Sequence, residues 1–166
     1  PRGTEITRDT PPGHFNAVFL SDVNPLDTEY LVEAFKQANA QGAFMFWNHH
    51  DWKGAERGSW LEIHTLHNEN KLLHGMEVCN GDSYYPEAHK WCLENCLTML
   101  GTSDLHAPDI PTQSSPDVHR TVNLVFFKER TLGCLKEAHL AGRTAVWFND
   151  QMIGRPEWLE PLLEES

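Results

Sequence analysis

The sequence is short of positive charge. Thirteen Lys and Arg stand against 24 Asp and Glu, a formal net charge of −11. So acidic a surface repels a phosphate backbone, which excludes general nucleic-acid binding. Cysteine is scarce as well: Cys79, Cys92, Cys96 and Cys134, with no C-x-x-C pair. These read as free, partly buried thiols rather than a disulfide or a zinc site, and they fit a reducing, cytoplasmic setting. Cys92 and Cys96 lie four apart in an expected helix and so should share a face. No apolar run approaches the roughly 20 residues of a membrane helix. No basic start followed by an apolar stretch suggests a signal peptide. Internal repeats and low-complexity tracts are absent too.

What is present is an ordinary globular composition with one excess. The chain has 166 residues, 40% hydrophobic and 22% charged, enough for a single domain with an apolar core. Histidine is the excess, with ten residues. Metal binding is the commonest specialised use of imidazole. Divalent cations also reconcile an acidic protein with an anionic substrate, because they can be the largest charges in a site.

Strand-like and helix-like segments alternate, which predicts an α/β protein with mainly parallel strands. Residues 3–7 look like the end of a strand, and 15–20 form another. A helix is expected from Asn24 through about Ala40, closed by Gln41-Gly42. The apolar run 43–47 reads as a buried strand. A short helix over 60–67 and a strand over 75–79 follow. Pro86 suits the first turn of a helix reaching about Cys96. Residues 98–102 form a strand, and 107–117, with three prolines, a loop. Beyond it come a strand at 122–127, a helix at 131–141 closed by Gly142, a final strand at 144–148, and a short acidic helix from Pro156.

The residues beside these strands carry metal-ligand chemistry. Glu5 ends the first, His14 precedes the second, and Asn48-His49-His50-Asp51 follows the third. Asp104 and His106 follow the strand at 98–102. Carboxylate with imidazole suits zinc, manganese or iron. In an extended segment Asp104 and His106 point to one side, with Leu105 away. Other residues read more plainly. His64, His67, His74, His89 and His139 are expected at the surface or partly buried. The six tryptophans (Trp47, Trp52, Trp60, Trp91, Trp147, Trp158) are expected as core or lid packing rather than stacking platforms.

Taken in order, several segments resemble the PHP (polymerase and histidinol phosphatase) superfamily, above all its stand-alone phosphoesterases. They are Gly3-Thr4-Glu5-Ile6-Thr7, His14-Phe15-Asn16, Asn48-His49, Gly75-Met76-Glu77-Val78 and Thr102-Ser103-Asp104-Leu105-His106. The likeness continues through His119-Arg120 and from Phe127 to Thr144. It implies a distorted (β/α)7 TIM-like barrel, of which this chain would be the C-terminal two-thirds, a single domain incomplete at its N-terminus. It also implies up to three divalent metals and hydrolysis of phosphate mono- or diesters. By motif, Glu5 bridges two metals, His14 and His49 serve one, and Asp104 and His106 complete the set; Glu77 supports the barrel or the ligands. The family's opening His-x-His motif is absent from these residues, and His50 stands where proline usually follows Asn-His.

The expected chemistry is a metal-activated water attacking a small phosphorylated substrate. Arg120 or Arg143 would clamp the phosphate or else make structural salt bridges. His119 would protonate the leaving oxygen or simply hydrogen-bond. Two other readings stand beside this one: a non-catalytic metal-binding remnant, and an amidohydrolase-type metal hydrolase. The oligomeric state is left open, and no membrane partner is expected.

Overall fold

A computed structural model describes residues 1–106 and 119–164. Two sheets organise the chain. In the larger, β1 (Gly3–Ile6) lies antiparallel to β2 (Phe15–Val18), and β2 antiparallel to β3 (Phe44–Trp47). Next comes β4 (Gly75–Asn80), parallel to β3, which also pairs with β5 (Ser83–Tyr84) and, in parallel, with β6 (Thr98–Thr102). The smaller sheet is antiparallel: β7 (Val122–Val125), β8 (Thr144–Phe148) and β9 (Gln151–Gly154). Five helices accompany them among the described residues: α1 (Leu31–Ala40), α2 (Glu62–Glu69), α3 (Pro86–Glu94), α4 (Leu132–Leu140) and α5 (Pro156–Glu164). Among the described residues no helix is long and apolar enough to cross a membrane.

The fold is mixed α/β, but its strands are not mainly parallel. Among the described residues only the β3–β4 and β4–β6 pairs are. The connections explain part of this, since a parallel crossover needs about a dozen residues or more. Only residues 7–14 separate β1 from β2. Between β8 and β9 stand Asn149 and Asp150 alone, with φ of 44° and 58°, the double positive φ of a tight hairpin turn. The strand at 144–148 is therefore not the last. The helix expected from Asn24 is also split: a 3-10 turn spans Asn24–Leu26, Tyr30 is extended, and α1 begins at Leu31. Cys92 is buried in α3, whereas Cys96 lies beyond its end at φ 56° and is exposed, so the two share no face. The loop expected at 107–117 falls outside the described residues.

β3 is buried on both faces, as its unbroken apolar run requires. Met45 and Trp47 join the main core, and Phe44 and Phe46 pack with Leu100 on the other side. Aromatic contacts bind the helices to this sheet: Phe15 edge-on to Phe35 of α1 at 5.0 Å, and Trp47 stacked on Trp91 of α3 at 5.9 Å. His64 and His67, expected nearer the surface, are core residues. His64 stacks on Trp47 at 3.8 Å, and His67 on Phe35 at 4.2 Å. The His64 Nδ1 accepts from the Leu61 N–H, and Nε2 donates to the Pro12 carbonyl, each at 2.9 Å. Both ring nitrogens are thus satisfied in the neutral form, and burial pushes the pKa down to about 4. This imidazole ties α2 to the loop that leads into His14.

Side chains join the two sheets. The Asn123 amide brackets Gly101, accepting from its N–H at 2.9 Å and donating to its carbonyl at 2.7 Å. The Thr144 hydroxyl donates to the Met99 carbonyl at 2.8 Å. Gly101 has no room for a side chain, because a Cβ would meet Val146 Cγ1 and stand 2.6 Å from Thr121 Cγ2.

Candidate metal centre

The strand register assembles one end of the sheet. Phe15 lies opposite both Ile6 and Trp47. Glu5, His14 and the Asn48-His49 pair therefore fall beside one another on three adjacent strands. The Asn48 N–H donates to the His14 carbonyl at 2.9 Å and fixes the exit from β3. Asp104 and His106 arrive from the far end of β6. Glu5, His14, His49, Asp104 and His106 line a single hollow of about 450 Å³, together with Thr7, Trp52, Asn80 and Tyr85.

Within the hollow His14 is the link. Its Nδ1 lies 3.2 Å from Glu5 Oε1 and 3.1 Å from His49 Nε2. Glu5 Oε1 also accepts from the Thr7 hydroxyl at 2.8 Å, and Oε2 from the Asn48 amide at 3.4 Å. Burial lowers the pKa of His14, outweighing the attraction of Glu5; His49 and Lys53 push the same way as burial. At His49 the balance is reversed. Burial opposes its charge, but the contact with Glu77 and the negative charges of Glu77, Asp104 and Glu5 prevail, and the pKa rises.

Glu77 sits behind His49 rather than in the hollow, and is only 2% exposed. Its Oε2 accepts from the His49 backbone N–H at 2.6 Å and the Asn80 amide at 3.0 Å, and its Oε1 from the Thr102 hydroxyl at 2.7 Å. The same Oε2 lies 3.5 Å from His49 Nδ1. That is long for a hydrogen bond, so we read it as an ionic contact that turns Nδ1 toward the carboxylate and Nε2 toward the hollow. A carboxylate behind an imidazole is the usual arrangement for a metal-ligating histidine.

Asp104 and His106 reach the hollow by a different route from the one expected. Asp104 has φ 47°, so the segment is not extended and strand alternation does not place the pair. The His106 Nδ1 lies 2.7 Å from the Asp104 carbonyl instead. Both side chains stay open to solvent, His106 at 85% and Asp104 at 40%.

These donors suit a divalent cation in type. Two ligands on one tetrahedral zinc, each about 2.1 Å away, stand roughly 3.4 Å apart, near the 3.1 and 3.2 Å seen around His14. The set is partial, however. Among the described residues no three His, Cys, Asp or Glu side chains are disposed to hold an ion as they stand.

The remaining candidates lie elsewhere. Arg143 is engaged by both carboxylate oxygens of Glu137 and donates from Nε to the Phe126 carbonyl, so it is a structural salt bridge. His119 stacks on Trp147 at 3.9 Å, and its Nε2 accepts from the Asp150 N–H at 3.2 Å. Arg120 is exposed beside it. None of the three is among the residues lining the hollow. His50 faces away, with Nδ1 against the Gly58 carbonyl at 2.9 Å. The bonds of Glu77 and the positions of Trp52, Asn80 and Tyr85 were not foreseen. The available signal for the first was a carboxylate inside an apolar strand, which needs buried partners.

No family model and no curated protein matches the chain. A solved structure does. It is a two-domain protein from Bacteroides vulgatus containing a predicted PHP-like metal-dependent phosphoesterase, 46% identical to this chain with a TM-score of 0.88. The two share one fold. The match covers 98% of this chain and 48% of that one, so this chain spans about half the length of that protein.

Proposed function

We propose that the hollow is the metal-binding part of a PHP-type phosphoesterase site that cleaves phosphate mono- or diesters, within part of a distorted TIM-like barrel. The single observation that carries this reading is the gathering of Glu5, His14, His49, Asp104 and His106 around one hollow. The likeness to the Bacteroides protein supports it. Those five residues would hold zinc, manganese or iron. Such cations, up to three in a complete site, supply a water acidified toward neutrality and offset charge on the phosphoryl oxygens.

The chain's own residues prepare the donors. Thr7 and Asn48 hold the Glu5 carboxylate from both oxygens. Glu77 takes the His49 backbone and faces its ring, so the imidazole presents Nε2. His119, Arg120 and Arg143 are given no part in the reaction.

A metal-titrated assay on the full-length protein, run across phosphate mono- and diesters, tests this. Turnover that appears with manganese or zinc and vanishes with chelator is expected. No metal-dependent turnover on any phosphoester would refute it. A second reading is a non-catalytic metal-binding protein, since the His14 and His49 ring nitrogens stand 3.1 Å apart beside Glu5 with no third donor closed around them among the described residues. Elemental analysis separates the two, since about three metals per chain indicate catalysis and one or none the passive role.

A further inference from the structure

Five of the six tryptophans do not line the hollow; Trp52 does, and it is 49% exposed, whereas Trp47 is fully buried. Exposure of so large an apolar ring forgoes burial energy, and a ring at the lip of a polar hollow invites a flat partner. Its place is fixed by the chain. The Trp52 N–H donates to the His49 carbonyl at 3.1 Å, and the Gly54 N–H to the Asp51 carbonyl at 2.8 Å, so the indole hangs one turn beyond His49. The ring centroid lies 5.1 Å from that of His14 and 6.1 Å from that of His49. Lys53 already uses the ring electrostatically, with Nζ 4.5 Å from its centroid. That ammonium also puts a positive charge beside a hollow carrying Glu5 and Asp104.

From this we infer that Trp52 is a stacking platform that selects phosphoesters bearing a flat aromatic group. The inference rests on the phosphoesterase reading and names the substrate class for it. Of the donors, His14 and His49 are the least exposed, at 13% and 10%, and the indole beside them is half-exposed, so a phosphate held at the two histidines places its organic group against the ring. Such a ring comes from one of two sources, an aryl phosphate, with the ring on the ester oxygen, or a nucleoside monophosphate, with a sugar between.

The test compares the parent, Trp52→Phe and Trp52→Ala in full-length, manganese-loaded protein. Substrates are 4-nitrophenyl phosphate, adenosine 5′-monophosphate and glycerol phosphate. Each variant is compared with the parent on the same substrate, which removes differences in leaving-group reactivity. Trp52→Ala should lose roughly tenfold to a hundredfold in kcat/KM on a ring-bearing substrate, mostly through KM, and little on glycerol phosphate. Trp52→Phe should keep most of the preference. The ring-bearing ester that loses more identifies the source.

An equal loss on all three substrates means that the indole merely covers the histidines, and overturns the inference; so does no loss on any. Should the parent turn over no phosphoester, the phosphoesterase reading fails instead. Calorimetric binding of phenylphosphonate against methylphosphonate then decides the platform separately. A preference for the phenyl compound that Trp52→Ala abolishes supports it, and equal binding in the parent overturns it.

Discussion

Replacing Glu77 by glutamine keeps its volume and removes its charge. The native carboxylate receives His49 and Asn80 at Oε2, and Thr102 at Oε1. An amide with its oxygen at the Oε2 position keeps the first two bonds, and its nitrogen then donates to a turned Thr102 hydroxyl. A charge-assisted network becomes a neutral one, which costs the fold about 1 to 2 kcal/mol. Glu77→Ala takes the acceptor from one buried donor, the His49 N–H, and from the half-buried Asn80 amide and Thr102 hydroxyl, at a cost of about 2 to 4 kcal/mol. The larger consequence falls on His49. Without the Glu77 charge, burial is opposed only by the weaker attraction of Asp104 and Glu5, so its raised pKa falls. The ring also loses the carboxylate that aims Nε2 into the hollow, so metal affinity should drop about 10- to 100-fold. Competition for zinc against a chromophoric chelator measures the affinity, an NMR titration of His49 the pKa, and urea unfolding the stability. Unchanged zinc affinity in Glu77→Gln, with the His49 titration unmoved, would refute the positioning role.

Three further outcomes follow from the same contacts. Gly101→Ala forces a methyl against Val146 and Thr121 and should cost about 1 to 3 kcal/mol, read as a fall in thermal midpoint; an unchanged midpoint would show that the seam between the sheets is loose. Asn123→Ala strips Gly101 of both backbone partners and should cost about 2 kcal/mol by urea unfolding. His64 has a folded pKa of about 4, below its ordinary 6.5. Its neutral form therefore stabilises the fold fully above pH 6.5, and that contribution, roughly 3 kcal/mol, is lost as pH falls from about 6.5 to about 4. An NMR titration of His64 near 6.5 would contradict its buried, doubly bonded state.

How much was legible in the sequence depended on how local each signal was. The strands at 98–102 and 144–148 were read to the residue, because apolar runs bounded by turns need no distant partner to be recognised. Strand direction is only partly legible: residues 7–14 are too few for a parallel crossover, but the long connection over 19–43 permits either direction, and β2 and β3 pair antiparallel across it. The helix at 24–40 was misread because Pro25 suits a helical first turn and a 3-10 turn equally well, and only Tyr30, extended, shows the break. β9 escaped because its Asn149-Asp150 turn lacks the glycine that usually marks such hairpins. The five hollow-lining residues were picked out as strand-flanking ligand types and by ordered motifs. Their meeting depends on the β1–β2–β3 register, which no spacing reveals. Asp104 and His106 were paired for the wrong reason, strand alternation, though both reach the hollow. For Arg143 a structural salt bridge is the more ordinary reading of the sequence than a phosphate clamp, and Glu137, six residues earlier, holds it.

The central claim is that Glu5, His14 and His49 share a cation. Crystals of the full-length protein grown with manganese, measured at the manganese absorption edge, test it most directly. An anomalous peak about 2.0 to 2.3 Å from donor atoms of all three side chains is expected. Manganese bound elsewhere, or a hollow with no anomalous density while His14 and His49 remain in contact, would contradict it.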